Sequence, residues 1–590
     1  MALTQVPNEL LEFGVKTFGT GSIMLGDTTT GTIDAADRNT GVGVDVFESL
    51  STGDGNNVLG YQALDANTTG NNNVAIGESA LGANTTASNN VAIGHEALLL
   101  NTTGHSGVAI GYKALDANTT GIANIGIGYQ ALSVNTTAHD NTAIGQYSLD
   151  ANTTGTRNVA VGNASLSGNT TANDNVGIGV NALLATTTGG QNIAIGKDTL
   201  KTQSTRLGNV AIGHEALTVL DTTGWVAVGY NAAKAATTGY DSVAIGSYAL
   251  VSNTTGHTNT AVGFNALYSN TTAAYNSAFG NGALDANTTG TQNNAFGSGS
   301  LGACTTGNYN CAFGQASLTN LTDGVSNTAM GDNAMQFGTS QDYCVAIGEN
   351  AGRNNTANNG VFIGAGAGNA NTSGDKNTMV GRETGLAVTT GGKNTLLGGG
   401  AGYNITTGTG NTMVGTDAHA YAATDNYSIV IGYNVKGVAS GSYFTFGSST
   451  GSDRVYNKYD ANASWTRVSD ERYKEDIVDN TDCGLDFIND LRPVTFKWKP
   501  KADIDNALPD YDENKTERHH DGKMYGLIAQ EVKQALEDNN ITDFGGWSET
   551  PEGIQGISQE MFVHPLIKAV QELSAKVDSL QNEINILKGE

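Results

Sequence analysis

The sequence predicts a mainly β protein with two unlike parts. One is a long shaft of 17-residue repeats, folded as a β-solenoid or a β-prism, and the other is an α+β domain that ends in a coiled coil. Three observations lead to this fold class: a strict repeat over residues 56–432, an abrupt change of composition near residue 452, and a heptad pattern at the C-terminus. The 79 glycines, 6 prolines and 14% charged residues indicate turn-rich β structure, because disordered chains carry more charge and fewer β-branched residues.

The N-terminal segment 1–55 matches neither part. It is rich in Gly, Thr and Asp, and we interpret it as an attachment segment. It lacks the basic start and long apolar run of a signal peptide, and no stretch of the chain approaches the ~20 apolar residues that cross a bilayer. We therefore expect no membrane insertion. The net charge of −27 also argues against nucleic acid as a partner, because its phosphates would be repelled.

The shaft repeat is defined by a glycine that closes a V-A-I-G-like core. This glycine occurs from position 60 to 213, from 229 to 348 and from 364 to 432, in steps of 17 within each of these three runs. Twenty steps of 17 and two of 16 make 23 copies. A period this strict is the signature of a repeat architecture.

Each copy has a simple physical interpretation, shown here by the letters NNNVAIGESALGANTTA. Val74 and Ile76 share one face of a short strand, the next glycine ends it, and Leu81 returns an apolar side chain to the interior. Asn84 begins the N-T-T turn, because asparagine bonds to its own backbone and tolerates left-handed dihedral angles. So few apolar side chains per copy cannot form a core alone. Two arrangements therefore stay open: coils of one chain stacked in a solenoid, or strands shared between chains.

The four cysteines lie at positions 304, 311, 344 and 483, without CxxC or Cys/His zinc spacing. We expect small buried or free thiols rather than a disulfide framework. The sequence predicts no metal site and no cofactor.

The composition changes near residue 452, where an ordinary globular domain is predicted to begin. The segment 452–590 holds 16 of the 29 Lys and Arg, five of the six prolines and three of the four tryptophans. Between the shaft and this domain, residues 433–468 form a segment rich in aromatic side chains. They are Tyr443, Phe444, Phe446, Tyr456, Tyr459 and Trp465.

The end of the chain carries apolar residues at alternating steps of four and three, which is a heptad seam. The seam consists of Leu566, Val570, Leu573, Val577, Leu580, Ile584 and Leu587. One interpretation is an amphipathic helix packed on its own domain; the other is a coiled coil that joins several chains. The unbroken seam favours the coiled coil, although its mixture of β-branched and leucine residues does not define the number of strands.

Four segments of the C-terminal region resemble, in the same order, those of the intramolecular chaperone domain at the end of bacteriophage tail spikes, tail fibres and endosialidases. They are the S-D-x-R-x-K-x-x-I opening at 469–477, LRPVTFKW at 491–498, GLIAQEV at 526–532 and HPLIKAVQEL at 564–573. The resemblance runs from residue 469 to the end of the chain. It implies a homotrimer, a domain that directs folding of the fibre before it, and release of that domain by self-cleavage between Val468 and Ser469.

The opening motif predicts the chemistry of this cleavage. A serine hydroxyl attacks only when a base removes its proton, and a lysine can be that base when burial or nearby cations keep it neutral. We assign Ser469 as the nucleophile and Lys474 as the general base, with Asp470 and Arg472 positioning the turn. Self-cleavage is the only enzymatic activity that we expect. The simpler alternative is that Ser469 and Asp470 cap a helix.

Together these features predict a phage tail fibre for host attachment, made in the host cytoplasm and located in the virion. The N-terminus would bind virion tail or baseplate proteins, and a host cell-surface receptor would be the distal partner. Residues 433–468 either contact that receptor or close the shaft. The repeats are loosely similar to the N-x-V-A-I-G units in the heads of trimeric autotransporter adhesins.

Two other functions remain open. A bacterial surface adhesin would need secretion and anchoring signals, and none is visible in the sequence. A polysaccharide depolymerase would need paired acidic residues in a cleft that interrupts the repeat, and the repeat carries no large insertion.

Overall fold

The computed structural model describes residues 15–26, 35–448, 454–458, 466–467, 471, 474–506, 511, 513–514, 516–517, 522–550 and 553–589. The chain divides into two compact units, Met1–Val468 and Ser469–Glu590. The first is a β-solenoid, and the second is a small α+β unit with a long terminal helix. None of the helices among the described residues has the length and apolar character of a membrane span.

The first unit is made of short strands. They are β1 (Val15–Phe18), β2 (Ser22–Gly26), β3 (Thr40–Gly43), β4 (Asn57–Leu59), β5 (Val74–Ile76), β6 (Val91–Ile93), β7 (Val108–Ile110), β8 (Ile125–Ile127), β9 (Thr142–Ile144), β10 (Val159–Val161), β11 (Val176–Ile178), β12 (Ile193–Ile195), β13 (Val210–Ile212), β14 (Trp225–Val228), β15 (Ser242–Ile245), β16 (Thr260–Val262), β17 (Ser277–Phe279), β18 (Asn294–Phe296), β19 (Cys311–Phe313), β20 (Thr328–Met330), β21 (Val345–Ile347), β22 (Val361–Ile363), β23 (Thr378–Val380), β24 (Thr395–Leu397), β25 (Thr412–Val414), β26 (Ile429–Ile431), β27 (Tyr443–Gly447), β28 (Arg454–Lys458) and β29 (Thr466–Arg467).

From β2 to β27 each strand pairs in parallel with the next, and equivalent positions of neighbouring coils lie side by side, as in Val74↔Val91. The predicted mainly β repeat fold is thus confirmed, and of the two open arrangements the structure is the solenoid formed within one chain. At both ends the stack meets antiparallel strands: β1 on β2, and β28 and then β29 after β27. These strands occupy edges that would otherwise expose unpaired backbone groups.

The stack also starts earlier than the predicted shaft. Gly26 pairs with Gly43, and the register continues from β3 to β4, so the coils extend into the N-terminal segment 1–55. These two glycines continue the series of 17 backwards from Gly60. The repeat is hard to detect there, because the letters before the glycines are IML and GV rather than VAI.

The strand face predicted for Val74 and Ile76 is the outward one. Ala75 between them is fully buried, whereas Ile76 is 37% exposed. The interior is filled by Ala75, Ala80 and Leu81, all fully buried. In this coil one small alanine opposite a leucine fills the interior, and the larger β-branched side chains lie outside.

Two ladders of buried asparagines line this interior. Asn73 is fully buried and donates its Nδ2 to the carbonyl of Ala87 at 2.9 Å, while its backbone N–H donates to Oδ1 of Asn56 at 3.0 Å. In the second ladder Asn84 donates Nδ2 to Oδ1 of Asn67 at 2.9 Å. A buried amide is costly unless its groups are paired, and here each coil supplies partners to the next. The predicted turn role of the N-T-T asparagine is therefore only part of what it does.

The turns direct backbone hydrogen bonds along the solenoid axis. Ser79 and Leu81 both have left-handed φ angles, 55° and 54°. As a result the N–H of Ser79 donates to the preceding coil and the N–H of Leu81 donates to the following one, at 2.9 and 3.0 Å. A leucine in this conformation is unusual, and burial of its side chain offsets the strain. Gly77 has a φ of 131°, and a Cβ there would lie 2.5 Å from the Gly94 carbonyl oxygen.

One coil replaces the asparagine with tryptophan. Trp225 is fully buried, and its indole Nε1 donates to the carbonyl of Gly239 at 2.6 Å. The sequence separation between donor and acceptor is 14, the same offset that separates Asn73 from its acceptor. The indole N–H thus replaces the amide N–H in the ladder.

The second unit contains three helices and two hairpins among its described residues. They are α1 (Leu485–Asp490), α2 (Ala529–Asp538) and α3 (Val563–Lys588), with β30 (Val494–Phe496) antiparallel to β31 (Met524–Gly526) and β32 (Trp547–Glu549) antiparallel to β33 (Gln555–Ile557). Short 3-10 turns occupy Lys501–Asp503 and Gln559–Phe562.

Candidate active site in the C-terminal unit

The predicted catalytic residues fall at the start of the second unit. Ser469, Asp470 and Arg472, together with Val468, lie outside the described residues. Lys474 is described: its side chain is exposed, and its backbone N–H donates to the carbonyl of Glu471 at 3.0 Å. The assignment of these four residues to catalysis, and of the Val468–Ser469 bond to cleavage, therefore stays a prediction.

The structure does bring together the other motif segments. LRPVTFKW supplies β30 and GLIAQEV supplies the end of β31 and the start of α2, so the two segments pair along one hairpin, Val494↔Gly526. A bidentate ion pair joins them: the guanidinium of Arg492 binds both carboxylate oxygens of Glu531, with Nε at 3.0 Å from Oε2. This contact lowers the pKa of Glu531 and raises that of Arg492.

This ion pair was not predicted from the sequence. The arginine of L-R-P and the glutamate of A-Q-E belong to two separate motifs, and sequence spacing alone does not show that they meet. The signal in the sequence that could have indicated this contact was the presence of opposite charges in two motifs of one small domain. The pair is largely exposed, so it orients the hairpin on α2 more than it adds stability.

A second positioning contact ties α1 to α3. The short helix α1 has no side-chain cap of its own, and Glu572 of α3 takes that place by accepting the backbone N–H of Leu485 at 2.7 Å. A carboxylate at a helix N-terminus is favourable, because the first N–H groups there have no partner within the helix. A Cβ on Gly484 would lie 2.4 Å from that carboxylate, so the glycine leaves room for this contact.

The interior of the unit is small. Phe487 of α1 lies at its centre, 1% exposed, with edge-to-face contact to Phe544 and stacking on Phe562 at ring-centroid distances of 5.6 and 6.3 Å. Trp547 secures the second hairpin by donating its indole N–H to the carbonyl of Ala529 at 3.1 Å. The motif segments are thus held around one aromatic cluster.

The predicted seam lies on one continuous helix, α3. Within α3 only Pro565 and Ala569 are buried. All seven seam side chains are exposed, from 43% at Ile584 to 86% at Leu587. Of the two interpretations left open, packing of the seam on its own domain is at most partial among the described residues. An exposed heptad stripe on a helix of 26 residues has the pattern that joins helices of separate chains.

The cysteines take no part in this site. All four are free, as predicted. Burial raises the pKa of Cys304 to about 11 and raises the pKa of Cys344 and Cys483 as well. Thiols that stay protonated are poor nucleophiles.

Comparison with known proteins adds one finding. A model of a peptidase family described as chaperone of endosialidase matches residues 469–541. No curated protein and no solved structure gave a significant match. The matched segment contains the opening motif, β30, β31 and α2, and it begins at the first residue of the second unit. The C-terminal region of this chain is therefore similar to the chaperones of endosialidases.

Proposed function

We propose that this chain is the subunit of a trimeric phage tail fibre, whose C-terminal unit directs assembly and is then released by self-cleavage. The observation that carries the proposal is a coincidence of boundaries. The family match begins at Ser469, and the compact second unit begins at the same residue. A cut at Val468–Ser469 would leave the whole solenoid on one product and the whole chaperone-like region on the other.

The cleavage would proceed by attack of the Ser469 hydroxyl on the carbonyl carbon of Val468. Lys474 takes the hydroxyl proton and passes it to the departing amide nitrogen of Ser469. The Val468 carbonyl is then held as an ester on Oγ, and water hydrolyses that ester. The products are a carboxylate at Val468 and a free amine and hydroxyl at Ser469.

Assembly would control this reaction. A lysine acts as a base only when its environment keeps it neutral, and in the single chain Lys474 is exposed. Association of three C-terminal units through the exposed seam of α3 would supply the missing burial. Cleavage would then follow trimerisation, which suits a chaperone that must act before it leaves.

The first test compares the wild-type chain with Ser469→Ala on a denaturing gel, with intact-mass analysis. We expect the wild type to yield products of residues 1–468 and 469–590, and the alanine variant to remain whole. Lys474→Met should also remain whole, whereas Glu471→Gln, a neighbour without an assigned role, should still be cut. A wild-type chain that stays intact while forming a trimer would disprove the nucleophile assignment and leave a permanent trimerisation domain.

The fibre part of the proposal has its own test. Virions would be probed with an antibody against the solenoid, in immuno-electron microscopy, and the label should lie on the tail. Absence of the chain from purified virions would refute it. A bacterial surface adhesin would instead place the label on the cell envelope.

A further inference from the structure

One outward strand position of the solenoid is apolar in every coil. It is the last side chain before the coil glycine, as in Ile76, Ile93 and Ile110, and we call the row the Ile ladder. From Leu25 in β2 to Phe446 in β27 this position holds only Ile, Val, Leu, Phe or Met. These side chains are half-buried to half-exposed, with Ile76 at 37% and Leu59 at 50%.

A second outward position in each coil can be compared with the ladder position. Two residues further along, the side chain also points outward, and there successive coils carry Glu78, His95, Tyr112, Tyr129 and Gln146. Charged, polar and aromatic residues alternate freely at that position. Strand propensity does not explain the difference, since threonine has high β propensity and never occurs in the ladder. An open surface would accept threonine or lysine, so the composition of the ladder is typical of a covered surface.

Side-chain volumes on this face compensate one another in the three coils of β17 to β19, although not in β27, where Phe446 lies beside Phe444. Where the ladder carries Phe279, Phe296 and Phe313, stacked at centroid distances of 4.6 and 4.5 Å, the neighbouring outward position of each strand carries no β-branched residue. It holds Ser277, Asn294 and Cys311 in place of the Val, Ile or Thr of most other coils. A limit on total volume, as in these three coils, is typical of packed interfaces.

We propose that the Ile ladder is the surface through which copies of this chain pack side by side along their solenoids, parallel and in register. Coils are spaced by one strand separation, so the ladder runs for about 120 Å with one apolar group every ~4.8 Å. A second ladder with the same spacing fits at every coil, whereas a partner without this repeat would not. The ladder carries no charge, so it is also where two chains of net charge −27 approach with the least repulsion.

The apolar area of the Ile ladder also supports a second copy of the chain as the partner. The exposed apolar area of the ladder is on the order of 1,000 Å² per chain. A typical stable interface buries about 800 Å² per partner, and a monomer seldom exposes a contiguous apolar patch above ~600 Å². The parallel orientation of the chains in this inference rests on the proposed function, because association through α3 at one end would make the chains parallel.

The test uses a photo-crosslinking amino acid, p-benzoylphenylalanine, in the full chain carrying Ser469→Ala. It replaces Ile144 in one sample and Gln146, exposed in the same coil but off the ladder, in its matched control. A second pair, Ile178 and Val180, guards against a local folding defect; both are apolar and exposed, 37% and 41%. Irradiated samples are resolved on a denaturing gel, and crosslinked peptides are identified by mass spectrometry.

We expect position 144 to crosslink to β8, β9 or β10 of a second copy, with at least tenfold more product than position 146. Crosslinks to residues 469–590, to another protein, or in equal yield at both positions would overturn the inference. Sedimentation of the same samples separates the two proposals. A trimer without ladder crosslinks refutes only the ladder interface, whereas a monomer refutes both the interface and the proposed trimer.

Discussion

The solenoid and the C-terminal unit differ in where their side chains find partners. In the solenoid the interior is completed by the same chain: Ala75 and Leu81 are fully buried, and the buried asparagines are paired coil to coil. In the C-terminal unit, Phe487 anchors a core of five buried residues among those that the structure describes, while the seam of α3 is exposed. Stacked repeats stabilise one another in one dimension, whereas this small core leaves most of a long helix exposed.

The largest effect is expected from substitutions in the exposed seam of α3. Leu573→Asp with Val577→Asp places charges on the seam, and burying unpaired charge costs several kcal/mol. We expect sedimentation to show a monomer in place of the assembled species. If cleavage depends on assembly, the cut at Val468–Ser469 is lost as well.

The matched control for that variant is Ala575→Asp with Asn582→Asp. Both residues are exposed on α3, and both lie opposite the seam in the heptad. Assembly should persist in this control. Loss of assembly in both variants would contradict the role of the seam, because charge alone would then disrupt the helix.

A smaller effect tests whether the solenoid is self-sufficient. Asn141 accepts the backbone N–H of Asn158 at 3.0 Å and donates to the carbonyl of Gly155 at 2.8 Å. Asn141→Ala leaves the Asn158 N–H without this acceptor, at a cost of about 1–3 kcal/mol, while the Gly155 carbonyl still accepts Nδ2 of Asn152 at 3.0 Å. Hydrogen exchange at the Asn158 amide should accelerate by roughly tenfold or more, since about 1.4 kcal/mol is a factor of ten.

Substitution of Asn141 by serine should have a smaller effect than substitution by alanine. Ser242 occupies the position equivalent to Asn141 in the buried asparagine ladder of another coil, where its hydroxyl accepts the backbone N–H of Asn259 at 3.1 Å. Asn141→Ser should therefore exchange more slowly than Asn141→Ala. Equal exchange in the two variants would show that the ladder hydrogen bond does not limit the opening of the coil.

The smallest effect is a pH dependence within the solenoid. Burial raises the pKa of Asp116, and its Oδ1 has no hydrogen-bond partner among the described residues. The folded chain therefore binds this proton more tightly than the unfolded chain, and stability rises as pH falls through the folded-state pKa. Asp116→Asn should raise the melting temperature at neutral pH, by less than about 2 °C, and the gain should shrink in acid.

Asp174 is the control of opposite sign. A hydrogen-bonded ion pair with Arg157 lowers its pKa, so its carboxylate stabilises the fold above its unfolded-state pKa, and this contribution is lost as pH falls through the lower folded-state pKa. Asp174→Asn should lower the melting temperature slightly at neutral pH, with the difference fading in acid. A shift of the same sign in both variants would contradict the assignment of burial as the cause at Asp116.

Much of the site scaffold was predictable from residues alone. The order of the four C-terminal motifs, the helix at 564–573 and the seam positions all follow from letters and spacing, because heptads and short motifs are local patterns. The ion pair Arg492–Glu531 and the cap that Glu572 provides for α1 were not predictable. Each joins groups that are distant in sequence, by 39 or 87 positions, and only folding determines which of many charged residues meet.

The sequence by itself determined the period of 17, the strand at each V-A-I and the mainly β class, because strict spacing and period-two alternation are properties of a single chain. Only the tertiary structure decided that one chain closes each coil and that Val74 and Ile76 lie outside. In this coil the choice depends on interior width: Ala75 and Leu81 fill the interior, the paired asparagines line it, and no room remains for Val74 and Ile76. The apolar surface that results faces outward, and we propose that other copies of the chain bury it.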